Sequence, residues 1–110
     1  MKIITWNVKG AANQNFRLDA QDLVNMHHLD IMVILEPKIG CSHVENVGNQ
    51  VGLSRDFQVD PQGFSGGIWV LWESQRCNMD VVCAMEQSVT MLIKVNSHSM
   101  PWLFTVVYAS

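Results

Sequence analysis

The chain has 110 residues, with 7 Lys plus Arg, 10 Asp plus Glu and a formal net charge of -3. At 48% hydrophobic and 15% charged it is too apolar and too weakly charged for a disordered segment, yet no run approaches the roughly 18 unbroken apolar residues of a membrane span. The slight acidity offers no general basic footprint for nucleic acid, so any attraction to phosphate must be local.

Only Ile3 and Ile4 separate Met1 and Lys2 from Thr5, too few residues for the apolar core of a secretory signal, so an intracellular location is expected. The segment Lys2 to Val8 is β-branched and aromatic and ends in Gly10-Ala11-Ala12-Asn13, which predicts a buried strand followed by a loop. From Asn15 to Leu29, Phe16, Leu18, Leu23, Val24, Met26 and Leu29 recur at steps close to three and four, interleaved with Asp19, Gln21, Asp22 and Asn25. That spacing predicts an amphipathic helix. Ile31 to Leu35 is continuously apolar and suits a strand covered on both faces. A strand, helix, strand crossover makes its two strands parallel, so both carboxyl ends emerge on one side of the sheet.

The pattern from Ser42 to Leu53 is weak and allows a short helix before Arg55 to Asp60. Pro61-Gln62-Gly63 predicts a turn, and Gly66-Gly67 leads into the bulky, branched run Ile68 to Trp72, read as a strand. Trp69 and Trp72 lie at odd spacing within it, hence on opposite faces, where they serve as core or sheet cover. Met79 to Met85, Val89 to Val95 and Trp102 to Ala109 are three further strand-like runs, and the second half reads as an antiparallel meander. With no repeat or linker, the 110 residues are expected to form one unit. Ending directly after a strand, they are expected to be part of a longer sequence. Cys41, Cys77 and Cys83 are odd in number and lack a C-x-x-C spacing, which predicts reduced, packed thiols.

Asn7 closes the first strand and Glu36 follows the second, so parallel geometry places an amide and a carboxylate at neighbouring strand ends, where ligand sites of α/β sheets lie. A hard cation such as magnesium takes oxygen ligands and commonly uses one or two carboxylates plus water and substrate phosphate. Read from the residues alone, Glu36 is more often a solvated carboxylate at a strand end, and Asn7 is equally an amide that satisfies its own loop.

Four segments in this order, Lys2 to Gly10 (with Trp6-Asn7), Asp30 to Lys38 (with Leu35-Glu36-Pro37), Gly63 to Trp72 (with Ser65-Gly66-Gly67) and Phe104 to Ala109 (with Val107-Tyr108-Ala109), resemble the endonuclease/exonuclease/phosphatase superfamily. The likeness is nearest to the apurinic-endonuclease-like domains of plant non-LTR, LINE-type retrotransposons, and it spans essentially the whole chain. It implies the N-terminal portion of a four-layer α/β sandwich of the deoxyribonuclease I-like fold, with mixed sheets. It also implies a magnesium (or manganese) ion at Glu36 and Asn7, Tyr108 close to the scissile phosphate, and the DNA backbone as partner, with the nucleus as the matching compartment. The implied activity is DNA-nicking phosphodiester hydrolysis. The family's Gly-Asp-Phe-Asn and terminal Ser-Asp-His segments, which organise water and phosphate, do not occur here, so the chain alone is expected to be inactive. A non-catalytic remnant or interaction module is the alternative, and so is a lipid or small-molecule phosphatase of the same superfamily.

Other constellations are weaker. Gly63-Phe64-Ser65-Gly66-Gly67 satisfies G-x-S-x-G, but a nucleophile elbow runs from strand to helix and here a strand follows. Cys41, His43, His27 and His28 match no structural zinc spacing. His98 lacks a preceding Asp and reads as a surface histidine. Half of a sandwich would leave a sheet face or edge exposed, and aggregation is expected to follow.

Overall fold

A computed structural model describes residues 1–10, 14–38, 44–62, 66–96 and 98–108. The first strand, β1 (Ile3–Asn7), is followed by a helix, α1 (Gln14–His27), and a second strand, β2 (Ile31–Leu35), which pairs parallel with β1. The crossover unit therefore forms as its periodicity predicts. The helix stops two residues earlier than the spacing suggests. His28 takes the left-handed conformation (φ 52) that ends helices, and the N–H of Leu29 reaches back to the carbonyl of Val24 at 3.4 Å.

Phe16 and Ala20 are buried on α1, with Leu23 and Val24 half-buried beside them, whereas Leu18 and Met26 face solvent at 62% and 72% exposure. The expected apolar face is thus narrower than predicted. Leu18 is about 200° around the helix from Phe16 and cannot share its face.

A second helix, α2 (Val44–Val51), precedes β3 (Arg55–Val59) and β4 (Ile68–Trp72). The four strands form one mixed sheet in the order β1-β2-β4-β3, with β4 antiparallel to both neighbours. This corrects the expectation of a meander running through the whole second half. Only β5 (Asn78–Met85), β6 (Ser88–Lys94) and β7 (Trp102–Val107) form the meander, as a separate three-stranded antiparallel sheet. The burial patterns give the reason. All five residues of β4 are buried, which requires cover on both faces, while β6 alternates as a one-sided sheet does. β3 had no predicted element, because Phe57 and Val59 between Asp56 and Gln58 are too brief an alternation to stand out.

Two cores result. Met32, Ile34, Trp69 and Leu71 pack beneath the helices with Phe16, Ala20 and Val47. Ile31, Val33, Ile68, Val70 and Trp72 pack against Val89, Met91, Ile93 and Val106 of the second sheet. Trp69 and Trp72 do lie on opposite faces. Trp6 stacks on Phe16 at 5.4 Å, and Phe16 meets Trp69 edge-on at 6.3 Å, so an aromatic row ties β1 and α1 to β4. Among the described residues the layers are helices, four-stranded sheet, three-stranded sheet. The outer face of the last exposes Leu103 and Val107, as anticipated for a sheet without an outer cover. Among the described residues no helix is long and apolar enough to cross a membrane.

The turn after β4 is held by polar groups. Glu73 accepts hydrogen bonds from the Ser54 hydroxyl at 2.9 Å and the Gln75 N–H at 3.1 Å, while the exposed Arg76 pairs with the half-buried Asp30 at 3.5 Å. Chiefly the Gln75 N–H, then the Ser54 hydroxyl, hold the Glu73 carboxyl below its ordinary 4.5. A depressed carboxyl stabilises the fold above its unfolded pKa, and that contribution is lost as the pH falls through the folded value. The Glu73→Gln variant should therefore lose less stability than wild type on acidification below about pH 4.5, which urea denaturation at stepped pH will test. Cys77 is buried, and burial pushes its thiol up, whereas Cys83 is exposed. Cys41 lies outside the described residues.

Candidate metal and phosphate site

The parallel register sets Asn7 beside Leu35, one residue before Glu36. Beyond the strands, the Val8 N–H donates to the Leu35 carbonyl at 3.1 Å and the Gly10 N–H to the Glu36 carbonyl at 2.8 Å. Asn7 and Glu36 therefore emerge at the same end of the sheet. Asn7 is exposed, and its Oδ1 accepts the Lys9 N–H at 3.1 Å in a local turn. This is the loop-satisfying role open to it from sequence. A carbonyl oxygen has two lone pairs, so that bond leaves one for a ligand.

Glu36 is half-buried, with φ 57. Its N–H donates to the Gly67 carbonyl at 3.1 Å, and the Lys38 N–H donates to the Gly66 carbonyl at 2.8 Å. The loop after β2 is thus clamped to the start of β4 through the backbone, leaving the carboxylate out of the clamp. Lys9 (φ 52) and Lys38 (φ 61) share the left-handed backbone of Glu36, a conformation that costs a non-glycine residue about 1–2 kcal/mol. Such strain concentrates at functional sites. Both lysines are exposed, and they flank Asn7 and Glu36 with positive charge in an otherwise acidic chain.

Tyr108 comes from the other sheet. It follows β7, its N–H donates to the Gln87 carbonyl at 3.0 Å, and its side chain is 7% exposed. Its hydroxyl accepts the buried Gly66 N–H at 2.7 Å. Gly66 has no room for a side chain, since a Cβ there would lie 2.8 Å from the Cα of Glu36. The row Asn7, Glu36, Gly66, Tyr108 therefore crosses from the edge of one sheet to the other. The sequence pointed to the first, second and fourth of these as site residues, and to Gly66 only as part of the resembled Ser65-Gly66-Gly67 segment and as a lead into β4. A glycine pair immediately before a wholly apolar strand was the available signal.

Among the described residues, no group of three or more His, Cys, Asp and Glu could hold a metal ion. His27 and His28 are exposed, and Cys41, His43 and Ser65 lie outside the described residues. His98 is exposed in a turn held by Asn96, in keeping with a surface histidine. A groove of about 730 Å³ lined by Arg55, Trp72, Cys77 and Lys94 opens at the opposite strand ends and includes none of Asn7, Glu36 and Tyr108. Volume and chemistry thus favour different ends. Hard-cation chemistry needs oxygen donors on converging elements, which singles out the Glu36 end.

No family model and no curated protein matches this sequence. The chain is similar to the crystal structure of the AP endonuclease LMAP from Leishmania major, with a TM-score of 0.65 and 13% sequence identity. The match covers 98% of this chain and 40% of that one, so the chain spans less than half the length of the structure it resembles. At this identity the likeness establishes the fold, a mixed α/β arrangement of the deoxyribonuclease I-like type.

Proposed function

We propose that this chain supplies part of the active site of a magnesium-dependent phosphodiesterase that nicks DNA, of the kind carried by LINE-type retrotransposons. The observation that carries the reading is the emergence of Asn7 and Glu36 at adjacent parallel strand ends, with Tyr108 brought to the Glu36 loop through Gly66. The donor set fits a hard divalent cation, because Glu36 offers a carboxylate and Asn7 an amide oxygen, and magnesium commonly needs only one or two carboxylates. When bound there, the ion would offset negative charge developing on the phosphate. The fold likeness to an AP endonuclease supports the same substrate class.

Glu36 and Asn7 hold the cation in this reading, and the Tyr108 hydroxyl contacts a phosphate oxygen. Lys9 and Lys38 draw the DNA backbone toward the rim. Hydrolysis also needs a group that takes a proton from the attacking water. The Gly-Asp-Phe-Asn and Ser-Asp-His segments with that task in the resembled family are not in these residues. The chain is therefore assigned the charge-stabilising share of the reaction and is inactive alone.

The deciding measurement pairs Mn2+ binding, followed by electron paramagnetic resonance with manganese standing in for magnesium, with nicking of supercoiled plasmid DNA. One saturable metal site without nicked product is the expected result. A folded chain that binds no metal would favour the non-catalytic module, and magnesium-dependent nicking by these residues alone would contradict the proposed division of labour.

A further inference from the structure

We infer that Gly66 is a positioning residue that couples the Glu36 carboxylate to the Tyr108 hydroxyl across the two sheets; the inference rests on the metal-site reading above. Gly66 touches both partners. Its N–H donates to the Tyr108 hydroxyl at 2.7 Å in a buried position, and its carbonyl accepts the Lys38 N–H at 2.8 Å, two residues beyond Glu36. The third link is steric. A Cβ at position 66 would stand 2.8 Å from Cα, 2.9 Å from Cβ and 3.0 Å from Cγ of Glu36. Two of these atoms anchor the carboxylate, so a side chain here must displace Glu36 or pull the Gly66 N–H away from Tyr108.

The hydrogen bond also has a direction. A phenol oxygen has two lone pairs and one proton, and accepting the Gly66 N–H uses only a lone pair. In a close-packed contact a shift of Glu36 is passed on rather than absorbed. Cation binding at Glu36 should therefore move the Tyr108 hydroxyl through Gly66, and linkage requires the effect to run both ways.

Tyr108 is the only tyrosine in the chain, so 3-fluorotyrosine incorporation gives one fluorine resonance that reports it. Titrating the wild-type chain with Mg2+ should shift that resonance with the midpoint of metal binding. Glu36→Gln should abolish the shift. Gly66→Ala should abolish it too and weaken Mg2+ binding about tenfold or more, the usual cost of disturbing a group that orients a metal ligand. Tyr108→Phe, which keeps the ring but removes the acceptor of the Gly66 N–H, should change the Gly66 amide resonance and, by the same linkage, alter Mg2+ affinity.

The outcomes separate the two levels of the reading. Absence of Mg2+ binding by folded wild type would remove the metal site and the coupling together. Binding that needs Glu36 but leaves the fluorine resonance unmoved would overturn the coupling alone, and so would a folded Gly66→Ala chain with wild-type affinity and shift. Because the wild-type titration uses no variant, the inference stays testable even if Gly66→Ala does not fold.

Discussion

Glu36→Gln should weaken Mn2+ binding about 30- to 150-fold while leaving the fold intact. The substitution keeps the size of the side chain and one carbonyl oxygen but removes its negative charge. A divalent cation and a unit negative charge about 4 Å apart interact by about 8 kcal/mol at an effective dielectric of about 20. A neutral amide oxygen recovers part of this, leaving a loss of about 2–3 kcal/mol, which corresponds to the stated ratio at about 1.4 kcal/mol per factor of ten. Stability should change little, because the clamp on Glu36 runs through its N–H to Gly67 and its carbonyl to Gly10, not through the carboxylate. Asn7→Ala should cost less affinity and some stability as well, since the Asn7 side chain also accepts the Lys9 N–H. Titration of the paramagnetic Mn2+ signal against each folded variant gives the comparison. Equal affinity in wild type and Glu36→Gln would remove Glu36 from the metal site.

The largest stability effect is expected at Trp69, which is fully buried on β4, with Ile34 on one side and Gln58 on the other in the register. Trp69→Ala should cost about 3–5 kcal/mol, through lost transfer energy and the cavity left behind. For a domain whose total stability is about 5–15 kcal/mol, that leaves the fold marginal. Trp69→Phe should behave differently. The buried indole Nε1 has no hydrogen-bond partner among the described residues, an arrangement that costs about 1–3 kcal/mol. Phenylalanine removes that donor and can retain the edge contact with Phe16, so the smaller cavity and the relieved donor should nearly cancel, to within about 1 kcal/mol. Urea denaturation of both variants tests the pair. A Trp69→Phe loss as large as that of Trp69→Ala would show that the indole N–H is satisfied after all.

Much of the site's scaffold was legible residue by residue. The run Ile31 to Leu35 announced a strand with both faces covered, and the helix-length spacing before it announced a crossover, which places Asn7 and Glu36 at one end. The odd spacing of Trp69 and Trp72 correctly assigned them to opposite cores. Reading failed where several segments compete for one partner. Nothing local to Ile68 to Trp72 distinguishes pairing with β5 from pairing with β2 and β3, because strand propensity says which residues extend but not which neighbour they join. Leu18 and Met26 misled for a related reason. Their hydrophobicity fits the count of apolar residues on α1, but their angle about the axis puts them in solvent.

The α/β character, the crossover unit and the shared end of Asn7 and Glu36 follow from the sequence by itself, because they rest on periodicities and connection rules that act over a few dozen residues, while the deoxyribonuclease I-like type of fold was implied by the family resemblance. The split into two sheets, the place of β4 and the meeting of Gly66 with both Glu36 and Tyr108 were decided only by the tertiary structure. The Gly66 to Tyr108 hydrogen bond joins residues 42 apart in the chain. A glycine reveals that it is needed for lack of a side chain only when the neighbour that would collide with one is in place, and that neighbour is supplied by the packing of the whole molecule.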